Sequence, residues 1–306
     1  MRIAVMATGA VGGYFGARLA AAGEEVHFLA RGSHLAALRE HGLTLESSKG
    51  GLHLRPLRLS DDPREIGPVD VVIFAVKLWD TEAAGAACLP LVGPDTAVIS
   101  FQNGVDSASR LRPSLGPGHV MGGVAYIAST ISAPGVIRHT GTMARLIFGE
   151  LDGKRSARGE AFLAACRKAG IDATLSDDIS RELWAKFAML ASFSGVSCVV
   201  RAPMGAIREE PLTRELLLGA IAEVVALAKA EGVELGADYL ARQAAAVDAL
   251  PAEMKPSMLI DLERGNRLEL DWLSGTVASL GDAVAVPTPI HHFITAALRL
   301  HAKGAR

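Results

Sequence analysis

Short apolar runs alternate with longer amphipathic stretches over the first half of the chain. Residues 2–6 (RIAVM) form a compact apolar run with β-branched members, the pattern of a strand buried on both faces. A glycine-containing turn follows, then a helical pattern over residues 11–22 that Gly23 is placed to stop. Residues 25–30 (EVHFLA) predict a second strand, completing a βαβ unit. Further strands are predicted at 43–45, 52–57, 69–76, 97–101 and 120–127. Helices are expected near 81–91 and 160–169, with a hairpin or edge strands over 137–148. Such alternation specifies a doubly wound parallel sheet.

After about Ser176 the period changes. Residues 179–200, 213–231, 237–249, 257–280 and 289–303 all carry helical spacing, and no strand pattern appears among them. The expected organisation is an α/β, Rossmann-type domain over 1–176 followed by an all-helical domain over 177–306.

Composition narrows the classes. Half of the 306 residues are hydrophobic and 21% are charged, which supports packed cores and argues against disorder. The net charge of -2 supplies no global field for nucleic acid. The three cysteines, Cys88, Cys166 and Cys198, are widely separated. That spacing offers neither a disulfide framework nor a zinc site, so no metal is expected, and it fits a reducing cytoplasm. The N-terminal apolar run is broken by glycines and has no cleavage region. No uninterrupted apolar stretch of about 18 residues occurs, so neither a signal peptide nor a membrane helix is expected.

The first turn reads Ala7-Thr8-Gly9-Ala10-Val11-Gly12-Gly13. Gly9 and Gly12 fall at the second and third glycines of the GxGxxG dinucleotide fingerprint, and Ala7 replaces the first. Exposed N–H groups at the helix start bind a pyrophosphate; a purely structural glycine turn is the alternative. The second strand ends in Ala30-Arg31-Gly32-Ser33, without the acid that accepts from a ribose 2′-hydroxyl. Arg31 can pair with a 2′-phosphate, which favours NADP(H) over NAD; it can equally be a solvated surface arginine.

Lys77 and Gln102-Asn103-Gly104 each lie just past a predicted strand, where ligands bind in such sheets. The two amides can orient a nicotinamide or a substrate oxygen, or mark an ordinary turn. Lys186 sits in a very apolar helix (WAKFAML). Partial desolvation suits it to be a general acid, against a lysine that snorkels to the surface. Glu269 follows Ser257 by twelve residues. If one helix ran through Gly265, the two would share a face.

Together, GAVGGYFGARLAAAG, the LARG ending at Gly32, VKLWD, FQNGVD, WAKF and SMLIDLERGNRLELDWLSG resemble the ketopantoate reductases (2-dehydropantoate 2-reductases) over nearly the whole chain. The resemblance implies NADPH-dependent reduction of the 2-ketone of ketopantoate to D-pantoate, on the route to pantothenate and coenzyme A. It implies Lys186 as the catalytic lysine that protonates the ketone oxygen, and Glu269 as a second catalytic residue, a glutamate that contacts substrate and assists positioning. It further implies Asn103 and Lys77 beside cofactor and substrate, Ser257 at the substrate carboxylate, and Arg31 on the 2′-phosphate. Family members usually carry asparagines one and two helical turns after the lysine. Here Leu190 and Ser194 stand on that substrate side. A same-fold reductase of another 2-oxo acid or ketone is therefore a second expectation, and a catalytically silent NADP-sensing protein a third. The expected partners are a small-molecule 2-oxo acid and a second copy of the chain in a homodimer, with neither nucleic acid nor membrane.

Overall fold

The computed structural model describes residues 1–305. Its elements divide into two compact units. Residues 1–102 and 106–179 form the first, and residues 103–105 and 180–305 the second.

In the first unit β1 (Arg2–Met6), α1 (Ala10–Ala21) and β2 (Glu25–Leu29) lead into α2 (Gly32–His41). The short strands β3 (Leu43–Ser47), β4 (Leu52–Leu54) and β5 (Arg58–Ser60) follow. Then come β6 (Val69–Phe74), α3 (Thr81–Ala87), β7 (Val92–Ser100) and α4 (Ser107–Leu115). The unit ends with β8 (Val120–Ala133), β9 (Val136–Gly149), α5 (Ala157–Lys168) and β10 (Asp172–Leu175). The strands form one sheet in the order β4-β3-β9-β8-β7-β6-β1-β2-β5, with β10 also pairing β9.

From β5 through β8 every pairing is parallel. The continuous apolar character of these strands follows from burial on both faces. Ile3, Val5, Val71 and Ile73 point into one core, while Ala4, Met6, Val72 and Phe74 point into another. The sheet is not wholly parallel, however. The segment expected as a hairpin or edge strands is β9, which folds back antiparallel on β8 as a hairpin through residues 134–135 and also pairs parallel with β3 and β10.

β1 pairs β2 on one side and β6 on the other. The chain thus reverses its strand order at β1, and the turn after β1 opens at such a switch point.

The second unit begins within α6 (Ile179–Val200). It continues through α7 (Met204–Glu209), α8 (Pro211–Ala230), α9 (Tyr239–Ala249), α10 (Ser257–Glu263), α11 (Ser274–Ala283) and α12 (Pro289–Leu298). By length and composition α6 could cross a membrane, yet 61% of its most apolar window is buried inside the fold. Trp184, Phe187, Ala188, Ala191 and Val196 of α6 share one core with Leu217, Ile221, Val224 and Leu227 of α8. The helix is therefore apolar because it is central to a bundle.

The stretch 257–280 is not one helix, which corrects the sequence expectation. α10 stops at Glu263, and Gly265 adopts a φ of +67°, open to glycine but strained for other residues. Asn266 then bonds back to Asp261 through both its backbone N–H (2.8 Å) and its side-chain amide (3.1 Å). Ser257 and Glu269 consequently do not share a helical face.

Candidate active site

In the first unit the glycine turn is held to the sheet by Thr8. Its backbone N–H and its hydroxyl both donate to the Leu29 carbonyl, at 2.8 and 2.9 Å. Gly9 is the N-cap of α1 in extended conformation; no side chain caps the helix and no acid lies in its first turn. A Cβ on Gly9 would meet nothing within 4 Å, so there is open space beside the uncapped start of α1. Ala7, Ala10 and Val11 are each partly exposed beside it. This is the donor set an anion requires.

Gly12 does a different job. A Cβ there would lie 2.4 Å from the Ala7 carbonyl oxygen and 2.8 Å from Val5 Cγ1, so only glycine lets α1 pack this close to β1. Arg31 is exposed and occupies the N-cap of α2. Among the described residues no group of three or more His, Cys, Asp or Glu is placed to hold a metal ion. All three cysteines are buried and free. Burial pushes each thiol up to about 12, which leaves them inert.

Lys77 follows β6, is exposed, and places its ammonium 5.5 Å from the Trp79 ring centroid. The amide of Gln102, expected to face a ligand, is engaged within the protein. Its Nε2 donates to the Val76 carbonyl (3.1 Å) and Thr81 Oγ1 (2.8 Å), and its Oε1 accepts from Ser100 Oγ (3.0 Å). Gln102 therefore braces the turn that carries Lys77. Sequence reasoning missed the second brace. Arg110 of α4 donates to the Leu78 carbonyl at 2.6 Å and to both oxygens of Glu82 at 2.7 and 2.9 Å. Nothing in its polar surroundings, SASRLRPSL, marks it in advance.

The second unit gathers three of the sequence-predicted residues. Lys186 Nζ donates to Asn103 Oδ1 at 3.0 Å. Asn103 Nδ2 in turn donates to Glu269 Oε2 at 3.4 Å. Lys186 is half-buried in the second turn of α6, and Glu269 is 7% exposed. Burial lowers the Lys186 ammonium to about 8, opposed by the negative charge of Glu269.

Glu269 is fixed by local structure. Its carbonyl accepts from the N–H groups of Trp272 and Leu273, both at 3.1 Å, in a tight turn ahead of α11. The preceding segment is anchored by the Leu268 N–H on the Ala302 carbonyl at 3.0 Å. The asparagine amide thus spans a cation and an anion with its oxygen toward the former and its nitrogen toward the latter.

Leu190, one turn beyond Lys186, is half-buried. Ser194, a further turn on, is 1% exposed, and its hydroxyl has no hydrogen-bond partner. Ser257 is exposed at the first position of α10.

Comparison with known proteins identifies the family. Residues 3–153 match the family described as ketopantoate reductase PanE/ApbA, and residues 178–302 match its C-terminal counterpart. The chain is 34% identical to the 2-dehydropantoate 2-reductase of Mesorhizobium japonicum, over 98% of this chain and 97% of that one. The crystal structure of 2-dehydropantoate 2-reductase from Geobacter metallireducens superposes with a TM-score of 0.91 at 32% identity, covering 98% of this chain and 99% of that one. D-mandelate dehydrogenase in its ternary structure with NADH and anilino(oxo)acetate shares the fold, with a TM-score of 0.90 at 21% identity and coverage of 99% and 98%. The chain belongs to the PanE/ApbA ketopantoate reductase family of oxidoreductases.

Proposed function

We propose that this protein reduces the ketone of a 2-oxo acid with NADP(H), with ketopantoate the foremost substrate and D-pantoate its product. In this reading it acts in the cytoplasm, on the route to pantothenate and coenzyme A. The observation that carries it is the partly buried chain Lys186–Asn103–Glu269, in which an ammonium near its neutralisation point is held by an amide and balanced by a carboxylate.

Residues 7–12 fit a dinucleotide pyrophosphate, because no side chain caps the start of α1, no acid lies in its first turn, and the space beside Gly9 is open. Exposed Arg31 is assigned to the 2′-phosphate and Lys77 to the cofactor. Reduced nicotinamide, when bound, would supply the hydride.

The rest of the chemistry falls to the protein. Reduction places negative charge on the former carbonyl oxygen, and a hydrogen-bonded ammonium stabilises that charge more in the transition state than in the ground state. With a pKa of about 8, Lys186 is largely protonated at neutral pH and can still release its proton. Asn103 orients the ammonium. Glu269 keeps it charged against the pull of desolvation and is also assigned a substrate contact, as is Ser257.

Leu190 and the unpartnered Ser194 favour a second reading of substrate identity. Leu190 offers no hydrogen bond on the helix side next to Lys186, which suits a 2-oxo acid with an apolar or aromatic side chain. NADPH oxidation measured against a panel of 2-oxo acids tests both. The first reading expects ketopantoate to have the highest kcat/KM. Turnover of phenylglyoxylate or 2-oxoisovalerate far above ketopantoate overturns that choice, and no turnover with any member overturns the reductase assignment.

A further inference from the structure

The start of α6 is stitched to the connector between α8 and α9. Tyr239 opens α9 and is 4% exposed. Its hydroxyl donates to the carbonyl oxygen of Ala185 at 2.6 Å, in the peptide unit that leads directly into Lys186. One turn earlier on the same helix face, Arg181 Nη2 donates to the Leu235 carbonyl at 3.4 Å. Arg242, one turn along α9, reaches that carbonyl at 3.5 Å. Its guanidinium carbon lies 5.9 Å from the Tyr239 ring centroid, and it also pairs with Asp238. On either side of Lys186, Trp184 and Phe187 meet edge to face in the core, with centroids 5.8 Å apart.

The Tyr239 hydroxyl is surplus to the needs of the helix. Inside an α-helix each carbonyl accepts the N–H four residues on, so Ala185 already has Met189 as its donor. A carbonyl has a second lone pair, and Tyr239 occupies it. A phenylalanine would fill the same apolar space without a polar group to bury. What the extra bond adds is a fixed orientation of the turn bearing Lys186. Catalytic geometry is sensitive to such fixing, since a misplacement of about 1 Å can cost on the order of 10²-fold in rate.

We propose that Tyr239 is a positioning residue for Lys186, holding the α6 turn through the Ala185 carbonyl so that the ammonium stays on Asn103 and within reach of Glu269. The kinetic consequence rests on the reductase reading; the geometric one does not.

The test is Tyr239→Phe, checked for folding by circular dichroism and a thermal melt. The pH dependence of Lys186 acylation by acetic anhydride, followed by peptide mass spectrometry, reports the ammonium without any substrate. We expect its midpoint, near 8 in the parent, to rise by about half a pH unit or more as the loosened ammonium gains water. We also expect kcat to fall several-fold, with NADPH affinity unchanged. A folded variant with an unmoved acylation midpoint overturns the proposal, whatever its kcat. If the parent turns over no 2-oxo acid, the reductase reading fails and the acylation comparison still decides the role of Tyr239. Should Tyr239→Phe not fold, Arg181→Gln removes the neighbouring stitch, and the same midpoint must rise.

Discussion

Replacing Glu269 by Gln removes one negative charge while keeping the side chain's shape and an acceptor oxygen. In the parent, the Lys186 ammonium and the Glu269 carboxylate sit at opposite ends of the Asn103 amide, bonded at 3.0 and 3.4 Å. That places the charges about 7 Å apart, where an effective dielectric constant of about 20 gives an attraction of roughly 2 kcal/mol. One pH unit corresponds to about 1.4 kcal/mol, so the loss should lower the Lys186 pKa by about 1–2 units. The sign follows from the charge states. The carboxylate favours the protonated lysine, and without it desolvation acts unopposed. The proton donor is active below its pKa, so kcat/KM must fall as pH rises through that value. The parent profile should therefore break near pH 8, and the Glu269→Gln profile about 1–2 units lower. Steady-state NADPH oxidation between pH 5.5 and 10, at subsaturating 2-oxo acid, gives both profiles. A basic limb that stays in place, or moves upward, would refute the electrostatic coupling.

Gly12→Ala should abolish tight NADPH binding, because its Cβ meets the Ala7 carbonyl oxygen at 2.4 Å and Val5 Cγ1 at 2.8 Å. Relieving that overlap shifts α1 at a cost of about 1–3 kcal/mol, read as a lower Tm and at least a tenfold higher Kd by fluorescence titration; unchanged affinity would move the site away from this turn. Arg31→Ala should remove a charge-assisted contact worth about 1.5 kcal/mol, reducing the preference for NADPH over NADH about tenfold. Unaltered selectivity would assign the 2′-phosphate to other groups.

The parts of the fold legible in the sequence were those with one strong period. Residues 3–6 and 71–74 are apolar on both faces of their strands, and α6 and α8 are apolar over many turns. Local polarity hid the others. α2 and α4 are short and rich in charged or polar residues, so nothing marks them before tertiary packing buries Leu35, Leu38 and Leu111. β10 is a four-residue strand that depends on β9 for its pairing.

Within the site, the turn at Gly9 and Gly12 is local, and its role could be argued from spacing. The Lys186–Asn103–Glu269 chain joins residues 83 and 166 positions apart, which no periodicity can place together. Spacing misled in one case. The separation of Ser257 and Glu269 suggested a common helical face, but Gly265 and the Asn266–Asp261 bonds end the helix between them. Gln102 misled in another: its amide is used in bracing the turn of Lys77.

The central claim is that Lys186 donates the proton in an NADPH-dependent reduction. Its most direct test compares Lys186→Ala with the parent protein in two assays, NADPH oxidation with a saturating 2-oxo acid and NADPH binding without one. The account predicts a loss of turnover of at least about 10²–10⁴-fold, with the NADPH Kd unchanged. A variant that retains the parent's kcat while binding NADPH equally well would contradict it.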